Sequence, residues 1–208
     1  YLGREYSADE IAAALRARSL EPVAPADLES SAARRLAEGR VVARLAGRME
    51  YGPRALGNRS ILAPATHPGI TDQLNRQLQR SEFMPFAPTT LAEFAHQCYE
   101  RIAGAERCAR FMTITFDCTP WTKRHTPAVV HVDGTARPQL VSPRDNPSFH
   151  RLLTEYHKLT GLPTLINTSF NIHEEPIVCS PQDAIDTFLR ARLDCLAIGP
   201  YLVSREGI

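Results

Sequence analysis

Helix-start signals alternate with short apolar runs along this chain, and this alternation most strongly constrains its fold. Ser7 forms a capping box with Glu10, and Asn146 and Ser180 each stand directly before a proline. These patterns predict helix N-termini, because the polar side chain caps backbone N–H groups and proline fits the first turn. Runs rich in Val, Ile and Leu lie between the helical segments and predict strands. The interleaving predicts an α/β fold with a mixed sheet.

The patterns place each element to within about two to four residues. The predicted helices cover residues 7–18, 27–38, 70–79, 92–102, 146–160 and 180–193. The predicted strands cover residues 40–46, 61–63, 111–116, 128–132, 164–167, 195–198 and 201–203. Residues 47–60 are dense in Gly and Pro and predict a structured loop. No repeat, low-complexity tract or linker interrupts the 208 residues, so we expect one domain.

Charge and hydropathy exclude several classes of protein. Lys and Arg number 24 and Asp and Glu number 23, so a polycation that coats nucleic acid is not expected. No apolar run reaches the roughly 18 residues of a membrane-spanning helix, so we expect no membrane partner and a cytoplasmic location. Because the chain begins with Tyr1 and not with Met, we expect it to be a piece of a longer protein.

The cysteines favour a reducing compartment. Their number is odd, and no two lie within a C-x-x-C. This spacing is typical of buried or incidental thiols and not of a zinc site. The five are Cys98, Cys108, Cys118, Cys179 and Cys195.

Arginines concentrate in one segment. Of the 24 basic residues 22 are Arg, and residues 40–59 hold five of them against one acid, Glu50. The glycines of residues 47–60 let backbone approach a ligand and expose N–H groups to anions, and Pro53 stiffens the loop. Since the fork of Arg matches phosphate oxygens, the segment favours a polyphosphate site. A Gly-rich connector with solvated Arg is the alternative.

Polar residues follow the predicted strand at residues 164–167. Residues 167–171 read Asn-Thr-Ser-Phe-Asn. Ligands collect at the carboxyl ends of strands in open α/β sheets, so these amides and hydroxyls are candidates to hold phosphate oxygens or a metal-bound water. A polar turn in which Asn and Ser satisfy their own backbone is the alternative.

A third polar cluster ends the predicted strand at residues 128–132. His131 and Asp133 lie two residues apart, on the same side of an extended chain, and are candidates for a metal or acid/base pair. A core histidine followed by an Asp-Gly turn is the alternative. The sequence holds no G-x-x-x-x-G-K-[ST] or G-x-G-x-x-G motif, so a nucleotide would be held by Arg and backbone amides.

Together these stretches resemble a known family. Residues 47–62 resemble the signature of the O-carbamoyltransferases of the nodulation and antibiotic-tailoring (NodU/CmcH) type. Residues 85–88, 131–137, 167–171 and 175–178 resemble the same family in the same order. The chain resembles only the C-terminal part of those enzymes, without their larger N-terminal domain of actin-like ATPase fold.

The resemblance implies a fold and a reaction. The implied fold is YrdC-like, an open twisted mixed sheet with flanking helices and a concave basic face. There carbamoyl phosphate and ATP, with Mg²⁺, would become carbamoyl-adenylate, with release of phosphate and pyrophosphate. The missing N-terminal domain, the implied partner, binds iron in this family and would pass the carbamoyl group to an acceptor hydroxyl.

The resemblance also implies residue roles. Phosphates of both substrates are expected on Arg48, Arg54 and Arg59, with Arg137 as a fourth cation. Asp133, with His131, is expected to place carbamoyl phosphate or Mg²⁺. The implied substrate- and nucleotide-binding residues are Asn58, Ser60, His131, Asp133, Thr135, Asn167, Ser169 and Asn171.

One departure from the family pattern concerns the segment before residues 85–88. Many members carry lysines there, whereas residues 74–84 contain none. Arg76 and Arg80 are the candidates to replace that charge, although Arg cannot carry a proton.

Two other classes of function stay open at this point. A tRNA-related nucleic-acid-binding domain is one, disfavoured because few aromatic residues are interleaved with the arginines. A catalytically silent interaction module is the other.

Overall fold

The computed structural model describes residues 1–80 and 85–205. Its strands are β1 (Val42–Leu45), β2 (Arg59–Pro64), β3 (Ala87–Leu91), β4 (Phe116–Asp117), β5 (Thr135–Ala136), β6 (Gln139–Val141), β7 (Thr164–Ser169), β8 (Cys195–Ile198) and β9 (Tyr201–Ser204). Its helices are α1 (Ala8–Ala17), α2 (Leu28–Ala37), α3 (Gly69–Gln77), α4 (Ala95–Cys98), α5 (Glu106–Ala109), α6 (Pro120–His125), α7 (Pro147–Thr160) and α8 (Pro181–Arg190).

Seven strands form one mixed sheet in the order β6-β3-β7-β2-β1-β8-β9. The pairs β1–β8 and β3–β6 are parallel, and the other pairs are antiparallel. Strands β4 and β5 form a small second sheet. The predicted α/β class with a mixed sheet is therefore confirmed.

Helices cover both faces of the large sheet. Ala43 and Ile61 pack with α1, α3 and α8 in one core, whereas Val42 and Leu62 pack with α2 and α7 in another. Successive strand residues point to opposite faces, so alternate side chains enter different cores. Strand β1 is consequently buried along its whole length. None of the helices in the described ranges combines the length and apolar character needed to cross a bilayer.

The helix starts predicted from capping signals are confirmed. The Ser7 hydroxyl accepts from the Glu10 N–H at 3.2 Å, while the Glu10 carboxylate accepts from the Ser7 N–H at 2.8 Å. Ser180 and Asp183 form the same reciprocal pair at the start of α8. These bonds satisfy N–H groups that a helix leaves without intrahelical partners.

Two predicted strands are wrong. At residues 111–116 only the last residue enters a strand, because Met112 has a φ of 55°, which an extended chain does not adopt. At residues 128–132 the chain instead forms a 3₁₀ turn over Pro127–Val129, and Val132 is fully exposed. Alternating apolar residues form a strand only where a neighbouring strand accepts their backbone hydrogen bonds.

Other elements have different bounds from those predicted. Strands β3 and β6 were not predicted, and the predicted helix at residues 92–102 divides into a 3₁₀ turn and α4 before Tyr99 bridges to Cys118. Strand β2 begins at Arg59, two residues earlier than predicted. Arg59 and Ser60 therefore belong to the sheet and not to the Gly-rich loop.

Position 57 requires glycine for two reasons, its backbone conformation and the lack of space for a side chain. A substitution there therefore tests the packing of the loop against Phe149. Its φ is 110°, and an added Cβ would lie 2.3 Å from Cδ1 of Phe149. We expect Gly57→Ala to lower the free energy of unfolding in urea by about 1–3 kcal/mol. Gly52→Ala is the matched control, because Gly52 has a φ of 120° but no neighbour within 4 Å of an added Cβ. Equal losses in the two variants would show that the Phe149 contact carries no penalty.

Candidate active site

A cleft of 230 Å³ opens beside the C-terminal end of β7, between the loop of residues 47–58 and the chain that follows α3. Arg54 reaches it from the loop, Arg80 from beyond α3, and Arg137 from the turn between β5 and β6. Asn167 and Ser169 contribute the β7 wall. Three cations far apart in the sequence thus line one concave site at a strand end, where α/β folds bind ligands.

The guanidinium groups of this cleft are partly desolvated. Arg80 donates to the Thr168 hydroxyl at 3.1 Å, and its guanidinium carbon lies 5.3 Å from the centroid of the Phe86 ring. Burial lowers the pKa of both Arg80 and Arg137, and the charge of Arg54 lowers the pKa of Arg137 further. Two cations that repel each other across a cleft favour an anion between them.

The polar end of β7 is organised by its own hydrogen bonds. Ser169 Oγ donates to Asn171 Oδ1 at 2.6 Å, and Asn171 Nδ2 donates to the Glu175 carbonyl at 2.7 Å. The single hydroxyl proton of Ser169 is used within the turn, so its donation to a ligand requires that bond to open, whereas the Asn171 amide keeps its second N–H. Asn167 Nδ2 donates to Gln139 Oε1 at 2.8 Å, and its buried Oδ1 has no partner among the described residues.

Glu50 shapes the Gly-rich loop from inside. Its Oε1 accepts from the N–H groups of Leu56 at 2.7 Å, Asn58 at 2.7 Å and Arg59 at 3.1 Å. The Gly57 N–H donates to the Ser60 hydroxyl at 2.9 Å. The prediction that loop N–H groups face an anion is therefore wrong for residues 56–59. The loop instead serves as a rigid support for Arg54.

Arg59 anchors this loop to the rest of the fold. The residue is completely buried, and its guanidinium donates to the carbonyls of Ala46 at 2.9 Å and Gly47 at 3.3 Å. It also reaches the Cys179 carbonyl, 120 residues away, at 3.4 Å. The predicted clamp role of Arg59 is corrected accordingly: its Nη donors are used by carbonyls inside the protein, its buried Nε has no partner among the described residues, and it does not line the cleft.

Comparison with known proteins decides the family. A sequence model described as "Carbamoyltransferase C-terminus" matches residues 33–205. The chain belongs to the carbamoyltransferase C-terminal family. It is 43% identical over 181 residues to nodulation protein NolO of Bradyrhizobium diazoefficiens, which covers 86% of this chain and 33% of that protein. It is 44% identical over 138 residues to nodulation protein U of Rhizobium tropici, which covers 66% of this chain and 23% of that protein. The chain thus spans about a third or less of these relatives.

Solved structures show the same fold at low identity. Full-length HypF in the phosphate- and nucleotide-bound form matches with a TM-score of 0.62 and 19% identity over 86% of this chain and 25% of that one. A double variant of P. abyssi Sua5 matches with a TM-score of 0.54 and 17% identity over 82% of this chain and 48% of that one. The YrdC-like fold expected of this carbamoyltransferase domain is therefore confirmed.

Three further predicted site residues of this carbamoyltransferase domain lie outside the cleft. Arg48 is exposed and forms an ion pair with Glu5 at 3.7 Å. Asn58 is buried, where its Oδ1 accepts from Arg44 at 3.2 Å and its Nδ2 donates to the Arg48 carbonyl at 2.8 Å. Ser60 is buried beside Gly57. The buried side chains of Asn58 and Ser60 thus hold the loop in shape, which corrects their predicted contact with substrate.

His131, Asp133 and Thr135 form a turn of their own. Asp133 Oδ1 accepts from the Thr135 N–H at 3.0 Å and from its hydroxyl at 2.8 Å, and these hydrogen bonds lower the Asp133 pKa. His131 Nδ1 lies 3.1 Å from the same hydroxyl. None of the three lines the cleft. The alternative of a local turn describes this segment best.

The donor set does not fit a resident metal ion. No group of three or more His, Cys, Asp or Glu side chains converges within residues 1–80 and 85–205. Asp133, the predicted Mg²⁺ ligand, is exposed and occupied by Thr135.

Sequence reasoning missed several residues that line the cleft. The sequence predicts Arg76 and Arg80 only as replacements for a lysine charge. In the structure Arg80 lines the cleft, whereas Arg76 is exposed. Residues 81–84 of that segment lie outside the described residues. His173 and Glu174 also line the cleft, and Glu174 adopts a φ of 65°. A non-glycine residue held in this conformation next to a polar motif is a signal of a functional site.

Proposed function

We propose that this domain forms carbamoyl-adenylate from carbamoyl phosphate and ATP. The convergence of Arg54, Arg80 and Arg137 on one cleft is the observation that supports it most directly. At neutral pH carbamoyl phosphate carries about two negative charges and ATP about four, and they can lie side by side only among cations. The family membership independently supports a carbamoyl-transferring enzyme.

The proposed reaction has two steps and consumes one water. Water and carbamoyl phosphate give phosphate and carbamate. A carbamate oxygen then attacks the α-phosphorus of ATP, the bond to the bridging oxygen breaks, and pyrophosphate leaves with the electron pair. Both steps develop charge on phosphoryl oxygens, which fixed guanidinium groups stabilise without changing their own bonding.

Each cleft residue has a distinct part in this proposal. Arg54 and Arg137 stabilise the oxygens of the phosphoryl group under attack. Arg80, held by Thr168 and the Phe86 ring, fixes the second anion. Mg²⁺ enters with ATP as part of the substrate. The polar turn at Ser169 forms the wall against which the substrates are oriented.

Transfer of the carbamoyl group to an acceptor hydroxyl is assigned to the remainder of the enzyme. The matched region is only 33% of NolO and 23% of nodulation protein U, which leaves room for the proposed N-terminal actin-like domain. Five free cysteines support a cytoplasmic location, where thiols stay reduced. Both statements belong to the proposal.

Product analysis tests the proposed reaction. With ATP and carbamoyl phosphate together, we expect phosphate, pyrophosphate and AMP-containing product in equal amounts, and no pyrophosphate when either substrate is omitted. Release of ADP instead would assign γ-phosphoryl transfer and overturn the proposal.

Ligand-dependent stabilisation provides a test of binding that does not depend on turnover. ATP at 100 times its Kd should raise the free energy of unfolding by about 2.7 kcal/mol, measured by urea denaturation, because only the folded chain binds it. Carbamoyl phosphate should act in the same way. If neither ligand, alone or combined, changed the unfolding midpoint, the silent interaction module would be favoured.

A further inference from the structure

A second groove continues the cleft on the far side of Arg54 and Arg137. Its volume is 610 Å³, and both arginines line the groove and the cleft alike. The groove walls beyond them are Tyr51 and Leu56 on one side and Phe111 on the other. Its size is within the range of about 300–1,000 Å³ typical of small-molecule sites. The two arginines therefore stand where a polar cleft meets an apolar groove.

Two exposed aromatic side chains line this groove. Tyr51 is 84% exposed and Phe111 is 44% exposed. The guanidinium carbon of Arg110 lies 5.5 Å from the centroid of the Phe111 ring and covers one of its faces. The two rings therefore share one groove with Arg54 and Arg137, and adjoining exposed apolar side chains of this kind are typical of binding surfaces.

We propose that this aromatic groove holds the base and ribose of the nucleotide whose phosphates lie between Arg54 and Arg137. The inference rests on the proposed function. A nucleotide has negatively charged phosphates at one end and a flat aromatic base at the other. The phosphates match the cleft with its arginine pair, and the base matches the aromatic groove. Stacking on an aromatic side chain stabilises a bound base, because every base has a flat aromatic face.

The loop geometry also suits this assignment. Gly52 lines the groove between Tyr51 and Pro53, and no atom lies within 4 Å of where its Cβ would be. The groove floor at this point is thus open backbone. The hydrogen bonds of Glu50 to the N–H groups of Leu56 and Asn58 hold the part of the loop that follows Arg54 before a ligand arrives, which lowers the cost of ordering the loop on binding.

Comparing ATP with inorganic tripolyphosphate tests the inference, because the two share the phosphates but only ATP has a base. We expect Tyr51→Ala and Phe111→Ala each to weaken ATP binding by about 5- to 150-fold in calorimetry, the equivalent of one lost stacking contact. Tripolyphosphate affinity should stay within about twofold of the unsubstituted chain. Tyr51→Phe should retain ATP affinity, because it keeps the ring.

Val132→Ala is the matched control, since Val132 is fully exposed and lies outside the groove. Unchanged thermal unfolding would show that all the variants are folded. If the unsubstituted chain binds ATP and both alanine variants bind it equally well, the groove is not the base site, although the proposed function stands. If the unsubstituted chain binds neither ATP nor tripolyphosphate, the proposed function fails and takes this inference with it.

Discussion

Replacing Arg54 with alanine should lower carbamoyl-phosphate-dependent pyrophosphate release by about 10²–10³-fold, as when one preorganised donor to a developing charge is removed. Arg54 lies at the junction of the cleft and the aromatic groove, and its charge lowers the pKa of Arg137. Without it, the transferred phosphoryl group keeps only part of its countercharge. Pyrophosphate release with and without carbamoyl phosphate measures the effect.

Arg48→Ala is the control for this prediction. Arg48 belongs to the same loop and has the same charge, but it is exposed and paired with Glu5. Its loss should change the rate by less than about twofold, since a solvated ion pair contributes little. Near-normal turnover by the Arg54 variant, or an equal loss in both variants, would remove Arg54 from the active site.

Arg59→Ala should instead destabilise the fold, lowering the free energy of unfolding by about 3–5 kcal/mol in urea denaturation. The buried guanidinium donates to carbonyls of the loop and to the Cys179 carbonyl before α8. Removing it leaves those carbonyls without donors and takes from the buried Glu50 carboxylate one of its two neighbouring cations, the other being Arg44. Burial lowers the pKa of Arg59 in the folded protein, and the charge of Glu50 opposes that shift.

The same surface variant, Arg48→Ala, serves as the stability control and should stay within about 0.5 kcal/mol of the unsubstituted chain. One result for the Arg59 variant would support the role in phosphate binding that the sequence predicts for this residue. If the Arg59 variant kept full stability but lost ATP binding, the residue would be a phosphate ligand and not an anchor.

Local signals predicted most of the helices and five strands, and they failed at the strands predicted for residues 111–116 and 128–132. A capping box such as that of Ser7 and Glu10 acts within one turn, so four residues contain all the information it needs. A strand requires a neighbour that can be a hundred residues away, as where β2 pairs with β7. The run at residues 111–116 has the pattern of a strand but not the partner, and Met112 turns the chain away.

The sequence by itself determined the family, the α/β class and the presence of an arginine-rich loop beside a polar strand end, because each depends on contiguous residues. Only the tertiary structure decided which arginines face a ligand. Arg54 and Arg59 are five positions apart, yet one is exposed at the cleft and the other is wholly buried. Chain folding brings Arg80 and Arg137 to the same cleft as Arg54, and it brings the Cys179 carbonyl to Arg59. Long-range contacts of this kind decide whether a guanidinium uses its hydrogen bonds inside the fold or keeps them for a substrate.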